Sequence, residues 1–218
     1  MNLFNGHPII KSGDNIILID TGAPSTIHAS SNITFCSETY NCSTNYMGLA
    51  VSKISEMLGT EITTLLGADI LSNYKILFDY TDKVVEFHKQ EIGFEGHEVT
   101  ISSFMGIPII ELSIDGQRLK FFLDTGAKLS YLSDSITGNY STIGTEEDFY
   151  PGMGKFETEC FEITTSFGDK HFIVKYGKLP TLLQMTLMLG GTEGIIGYDF
   201  FNNFKVLLDL KNSKLKYE

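Results

Sequence analysis

The sequence has few basic residues, few cysteines and no long apolar run. Lysine and arginine together number 16 against 27 acidic residues, which gives a formal net charge of −11. This charge argues against nucleic acid and anionic membranes as partners. No apolar stretch approaches the length of a membrane span, and residues 1–5 lack the basic start and apolar run of a signal peptide. We therefore expect a protein without a membrane span, cytoplasmic by default.

The small cysteine and histidine content restricts the available chemistry. Three cysteines cannot form a fully paired disulfide framework. Cys36 and Cys42 are close enough in sequence to close a small loop, but two free thiols are an open alternative, and a disulfide there would indicate a periplasmic or secreted protein. The five histidines show no metal-ligand spacing, and no phosphate-binding loop or nucleophile elbow is present. The sequence predicts neither a metal nor a cofactor.

The tetrapeptide Asp-Thr-Gly-Ala, by contrast, occurs twice, at residues 20–23 and 124–127. Each copy follows an apolar run typical of a buried strand, so each aspartate lies where a strand meets a glycine turn. At average residue usage, one such tetrapeptide in a chain of this length arises by chance at about the level of a few in a thousand. Two copies therefore indicate an internal repeat.

Other blocks recur in the same order. Residues 6–10 match 106–110, residues 57–61 match 188–193 with one extra glycine, and residues 65–88 match 195–218 without a gap. The chain is long enough for two lobes of about a hundred residues each. We therefore expect a duplicated domain with an N-terminal half at 1–95, a C-terminal half at 96–218 and a polar passage at 89–103.

Frequent turn signals between short strand-like runs predict an all-β fold. The exceptions are two short helices, each following an apolar-apolar-Gly block, with Asp69 and Asp199 at the N-cap positions. Strands at 74–80 and 204–210 follow these helices, and each turns and returns.

The two halves differ in the segment that follows the aspartate motif. The second half carries about 27 residues more than the first before the next matching block. Their pattern predicts a long hairpin with a glycine-rich tip at 150–154, an alternating strand at 156–167 and a returning strand at 171–176. A surface hairpin without function is the alternative interpretation.

The repeated order apolar-apolar-x-Asp-Thr-Gly and apolar-apolar-Gly resembles the aspartic proteases of the pepsin and retroviral protease families. The resemblance covers nearly the whole chain and implies a bilobal fold made of two retropepsin-like halves. It also implies that Asp20 and Asp124 form the catalytic dyad. The residues that it assigns to the support of the dyad are Thr21, Gly22, Ala23, Thr125, Gly126, Ala127, Gly67 and Gly197.

In these families a hairpin flap covers the bound peptide. The resemblance places the flap at the predicted tip, with the residues Tyr150, Pro151, Gly152, Met153 and Gly154. The single flap then belongs to the second half, and the first half is reduced, with residues 45–48 as a residual lip. A small disulfide loop follows the first motif in pepsin, which favours the pairing of Cys36 with Cys42.

Two carboxyl groups in contact explain the chemistry independently of the resemblance. They share one proton, so the ionised group acts as general base towards a water while its partner hydrogen-bonds the scissile carbonyl. The expected function is that of a monomeric aspartic endopeptidase acting on peptide or protein substrates. The alternatives are a catalytically weak peptide-binding module and a dimer whose halves pair between subunits. Ala23 and Ala127 follow the retroviral pattern and lack a hydroxyl that would lower the pKa of the dyad, so we expect activity at mildly acidic pH.

Overall fold

The computed structural model describes residues 1–46, 48–150 and 153–218. About half of the chain is strand and only 14% is helix, so the structure is mostly β, as the sequence predicts. None of the helices in the described part of the chain is long and apolar enough to cross a membrane.

The described residues of the first part of the chain form eleven strands and two helices. In chain order these are β1 (Asn2–Phe4), β2 (His7–Ser12), β3 (Asn15–Ile19), β4 (Ile27–His28), β5 (Asn32–Phe35), β6 (Glu38–Asn41), β7 (Asn45–Tyr46), β8 (Leu49–Ala50), α1 (Val51–Leu58), β9 (Thr64–Leu66), α2 (Ala68–Leu71), β10 (Lys75–Asp79) and β11 (Val84–His88).

In the second part, the residues that the structure describes form eleven further strands and three helices. These are β12 (His97–Thr100), β13 (Ser102–Phe104), β14 (Ile107–Ile114), β15 (Gln117–Leu123), β16 (Ser130–Leu132), α3 (Asp134–Thr137), β17 (Gly144–Tyr150), β18 (Gly154–Phe167), β19 (Lys170–Lys178), α4 (Thr181–Gly190), β20 (Gly194–Ile196), α5 (Tyr198–Asn203), β21 (Val206–Asp209) and β22 (Lys214–Tyr217).

The same strand order occurs in both parts of the chain. A five-stranded sheet has the order β1-β2-β3-β9-β4, and the order β13-β14-β15-β20-β16 repeats it within an eight-stranded sheet that continues through β19, β18 and β17. In each sheet the strand that ends at the aspartate motif runs parallel to the short strand that ends at the apolar-apolar-Gly block. This parallel pairing brings the aspartate motif and the apolar-apolar-Gly block of each part of the chain to the same end of the sheet.

A third sheet, with the order β11-β10-β21-β22-β12, combines strands from both parts. Within it Leu77 of β10 pairs with Leu207 of β21, its own counterpart in the repeat. Two salt bridges also have exchanged partners, because the Lys75 ammonium lies 2.5 Å from the Asp209 carboxylate and the Lys205 ammonium lies 3.3 Å from that of Asp79. Each of these contacts joins a residue of one repeat to a residue of the other. Such reciprocal contacts are expected where a two-fold axis relates two repeats.

The secondary structure differs from the sequence prediction in the helices and in the passage between the halves. Helices α1, α3 and α4 were not expected, although apolar side chains of α1 recur at helical spacing at Val51, Ile54 and Leu58, all of which are buried. The predicted passage at 89–103 contains the strand β12, which extends the shared sheet by pairing with β22. Only the first part of this passage, residues 89–96, lacks regular secondary structure.

The prediction that Asp69 and Asp199 are helix N-caps is wrong. Gly67 and Gly197 precede the helices directly, so each aspartate lies inside the first turn. The Asp69 carboxylate instead accepts hydrogen bonds from the backbone and hydroxyl of Thr26, at 2.9 and 2.7 Å. It therefore links the helix to the loop that follows the first motif.

The possible disulfide between Cys36 and Cys42 is not formed, because all three cysteines are free. Cys36 lies in the turn between β5 and β6, whereas Cys42 follows the far end of β6, beyond the pair formed by Asn32 and Asn41. At a strand rise of about 3.3 Å per residue, the two cysteines are farther apart than the roughly 7 Å between Cα atoms that a disulfide spans. The reason to infer an oxidising compartment is thereby lost.

Candidate active site

The two Asp-Thr-Gly loops meet face to face. Asp20 follows β3 and its backbone N–H donates to the carbonyl of Leu66 at 3.0 Å, while the N–H of Asp124 donates to Ile196 at 2.9 Å. Each carboxylate also accepts the N–H of the glycine two residues later, at 2.9 Å for Gly22 and 2.7 Å for Gly126. Equivalent backbone bonds thus aim both carboxyl groups at the same point.

The two threonines lock the loops together through four buried hydrogen bonds. The hydroxyl of Thr21 donates to the carbonyl of Leu123 at 2.7 Å and accepts the N–H of Thr125 at 3.0 Å. The hydroxyl of Thr125 donates to the carbonyl of Ile19 at 2.8 Å and accepts the N–H of Thr21 at 3.0 Å. Because both threonines are almost completely buried, no water replaces these partners.

The carboxyl groups of Asp20 and Asp124 are adjacent, and each lies against the glycine of the opposite loop. Burial, followed by the charge of Asp124, raises the pKa of Asp20 well above its usual value. Burial raises the pKa of Asp124 as well, while N–H donors from Gly126 and Gly22 oppose the rise. The pair therefore holds one proton to a higher pH than a free carboxyl group would, and the N–H donors favour the ionised form at Asp124.

Gly67 and Gly197 support these loops from behind. A Cβ atom at Gly67 would lie 2.7 Å from the backbone of Ser25, and one at Gly197 would lie 2.1 Å from the carbonyl of Ala127. The next residue in each half donates its N–H to the alanine of the motif, from Ala68 to Ala23 at 2.8 Å and from Tyr198 to Ala127 at 3.0 Å. Only glycine fits this close approach.

The predicted strands at 156–167 and 171–176 correspond to β18 and β19, which pair with each other. The predicted tip at 150–154 lies between β18 and a strand that was not predicted, β17, with Tyr150 paired with Gly154. Tyr150 lines the cavity above the two carboxyl groups, and Met153 packs against the apolar cluster of the second part of the chain. Pro151 and Gly152, which were predicted at the tip, lie outside the described residues.

On the opposite side, β7 and β8 form a short hairpin at the predicted residual lip, of which Met47 lies outside the described residues. Tyr46 of this hairpin lines the cavity and lies against Tyr150, whose pKa is raised by burial and then by the adjacent Tyr46. Phe149 packs with Tyr46 against the apolar cluster of the first part. The cover of the cavity is therefore asymmetric, with the larger share from β17 and β18.

Several residues that line the same cavity were not predicted. The buried Tyr131 donates a hydrogen bond of 2.5 Å to the carboxylate of Asp148, and His7 lies nearby in β2. Ile54 of α1 and Leu183 of α4 complete opposite walls. A signal for His7 is present in the repeat, because a histidine occupies a position that is apolar, Ile107, in the second copy.

Replacing Thr125 with valine is expected to destabilise the fold by about 2–4 kcal/mol, because the isosteric side chain leaves the N–H of Thr21 and the carbonyl of Ile19 buried without partners. Urea unfolding followed by circular dichroism measures this loss. The matched control is Thr100→Val at an exposed position in β12, where we expect a change within about 0.5 kcal/mol. Equal effects of the two replacements would contradict the role assigned to the threonines.

Comparison with known proteins gives matches among solved structures. No protein-family model and no curated protein matches the sequence. The protease of simian foamy virus (mac) is 15% identical, with 41% of this chain and 86% of that chain covered and a TM-score of 0.31. The EIAV protease in complex with the inhibitor HBY-793 is 19% identical, with 44% and 86% covered and a TM-score of 0.35.

A third similar structure is a retropepsin-like aspartic protease from Rickettsia conorii. It is 16% identical, with 59% of this chain and 95% of that chain covered and a TM-score of 0.40. The three structural neighbours are thus aspartic or viral proteases. These similarities are weak, and the function has to be inferred from the geometry of the site.

Proposed function

We propose that this protein is an aspartic endopeptidase that hydrolyses peptide bonds with a water activated between Asp20 and Asp124. The observation that carries the proposal is the contact of the two carboxyl groups, held by reciprocal hydrogen bonds between Thr21 and Thr125. Structural turn aspartates would not require a second aspartate against them, because two adjacent carboxyl groups shielded from solvent cost energy.

In the proposed reaction one carboxyl group of the pair is ionised and removes a proton from the water. Its protonated partner donates a hydrogen bond to the scissile carbonyl oxygen. Attack of the water gives a tetrahedral diol, which collapses when a proton passes to the leaving amine. This mechanism requires no covalent intermediate between the protein and the substrate.

We further propose that residues 1–95 and 96–218 act as two retropepsin-like lobes of one monomeric site. The repeated strand order and the exchanged contacts between Lys75 and Asp209 and between Lys205 and Asp79 support this arrangement. The hairpin of β17 and β18 serves as the single flap, and α1 and α4 flank the cleft.

The walls of the cavity suggest the kind of side chains that flank the cut. Apolar side chains come from both parts of the chain, and the larger aliphatic ones are Leu18, Ile54, Leu65, Leu179, Leu183 and Ile195. Apolar walls gain free energy by excluding water from apolar substrate side chains. We propose that apolar residues adjoin the scissile bond.

Incubation with a mixed peptide library, followed by mass spectrometry of the products, tests the proposed activity. We expect internal cleavage that needs both Asp20 and Asp124. Binding of peptides without turnover would instead support the alternative function, a peptide-binding module with a protease-like fold. The intact aspartates in both copies favour the enzyme over this module.

The pH dependence provides a separate test. Because burial and the neighbouring charge raise the pKa of the dyad, it keeps its shared proton as pH rises, and we expect maximal cleavage at mildly acidic pH. Ala127→Ser adds a hydroxyl beside Asp124, which should stabilise its ionised form and shift the optimum to lower pH. A rate profile that peaks at pH 3 or below in the unmodified protein would contradict this expectation.

A further inference from the structure

Asp148 is a carboxylate on the wall of the cleft that the proposed mechanism does not use. It lies in β17, two residues before the tip of the flap, and lines the same cavity as Asp20 and Asp124. One of its oxygens accepts the hydroxyl of Tyr131 at 2.5 Å, and the other accepts the N–H of Phe149 at 2.9 Å. Burial and then the charge of Asp148 raise the pKa of Tyr131, so the phenol keeps its proton and remains a donor.

These two donors fix the carboxylate without neutralising it. Its acidic neighbours in β17 are both paired, Glu146 with Lys175 at 2.5 Å and Glu147 with Lys155 at 2.7 Å. Among the described residues no basic side chain lies within ion-pair distance of Asp148. A half-buried charge in a mainly apolar cleft gains considerably from a positive partner. The second lone pair of each oxygen remains available for such a partner.

His7 offers a second acceptor on the same wall. Its side chain is almost completely buried, and its Nδ1 atom has no hydrogen-bond partner. Burial lowers the pKa of His7, although Asp148 opposes this effect, so the imidazole is neutral at neutral pH. In a neutral ring one nitrogen is an acceptor, and we assign this role to the unpartnered Nδ1, so His7 does not supply the missing positive charge.

We infer that Asp148 and His7 form a subsite for a basic side chain of the substrate, arginine or lysine, next to the apolar subsites. A guanidinium group carries several N–H donors in one plane, enough for the free lone pairs of Asp148 and the Nδ1 atom of His7 together. An ammonium group can donate in the same way. The inference rests on the proposed peptidase function and adds a specificity determinant to it.

Lys128 brings a positive charge to the same cavity. It lines the cavity, and its ammonium donates to the backbone carbonyl of Glu147 at 3.2 Å rather than to a carboxylate. Its charge opposes the binding of a basic side chain. Removal of Lys128 is therefore expected to act in the opposite direction from removal of Asp148, which separates an electrostatic role of Asp148 from a structural one.

Cleavage of a positional peptide library identifies the preferred position, and kcat/KM is then compared for two peptides with arginine or glutamine at that position. We expect the ratio of arginine to glutamine to fall at least about tenfold in Asp148→Asn, as is typical for loss of a charged hydrogen bond. The ratio should rise in Lys128→Gln. Glu147→Gln is the matched control, because it removes an exposed carboxylate from the same strand, and the ratio should change by less than about twofold.

The value of kcat/KM for the glutamine peptide reports whether Asp148→Asn has kept the active fold. An unchanged arginine-to-glutamine ratio in Asp148→Asn, or cleavage by the unmodified protein with no basic preference, would overturn the subsite and leave the proposed peptidase intact. Failure of the unmodified protein to cleave any peptide would overturn the peptidase, and the subsite with it.

Discussion

Replacing either Asp20 or Asp124 with asparagine is expected to reduce the rate of peptide cleavage by about a thousandfold, within the range attributed to general acid–base catalysis. Asparagine has nearly the same shape but neither removes a proton from water nor shares one with its neighbour. Both carboxyl groups are needed, so the two single replacements should have similar effects and the double replacement should be little worse than either.

The same replacements are expected to raise stability at neutral pH. A carboxyl group whose pKa is raised by folding contributes stability that is complete below its unfolded-state pKa and is lost as the pH rises through the folded-state pKa. An asparagine does not ionise, so Asp20→Asn should unfold at a higher temperature than the unmodified protein at pH 7, with a smaller difference at pH 4.

Asp14→Asn is the control, because this aspartate is exposed in the turn between β2 and β3 and does not contact the dyad. Its replacement should alter neither the cleavage rate nor the thermal midpoint appreciably. Loss of stability in Asp20→Asn at pH 7 would contradict the proton-sharing pair.

Replacing Gly22 with alanine should reduce cleavage at least about a hundredfold, because an error of 1 Å in the position of a catalytic group has this effect. A Cβ atom at Gly22 would lie 2.2 Å from the carboxyl group of Asp124. The reciprocal replacement, Gly126→Ala, would bring a Cβ atom within 2.5 Å of the Asp20 carboxyl. Each alanine must therefore displace the aspartate of the opposite loop.

The kinetics of Gly22→Ala are compared with those of Gly93→Ala, since a Cβ atom at Gly93 meets no atom within 4 Å. We expect the control to retain the full rate. Circular dichroism and thermal unfolding of both variants show whether the fold is retained. Normal cleavage by Gly22→Ala would show that the two loops do not meet as described.

The features that could be predicted from the sequence are those that the repeat encodes locally. The two aspartate motifs, their supporting glycines and the long strands β18 and β19 each appear as a contiguous pattern, and the structure places the two motifs against each other. The strand β17 was missed. The paired strands β10 and β21 were also evident, because their residues match without a gap.

The features that were missed depend on contacts between distant segments. Thr26 donates hydrogen bonds to Asp69 from a distant segment of the sequence. Distant segments also contribute the residues of the cluster formed by His7, Tyr131 and Asp148. The disulfide prediction failed for the same reason, because proximity in sequence did not imply proximity across the hairpin of β5 and β6. Helix α4 has apolar side chains on its exposed face, at Met185, Met188 and Leu189, which masked its helical periodicity.

The central claim is that one chain builds one complete peptidase site, and mixing two inactive variants tests it most directly. Cleavage of a susceptible peptide is measured for the unmodified protein, for Asp20→Asn, for Asp124→Asn and for an equimolar mixture of the two variants refolded together. We expect cleavage by the unmodified protein alone. Restoration of activity in the mixture would show that aspartates from two chains pair, and undiminished cleavage by either single variant would show that the paired carboxyl groups are not the catalyst.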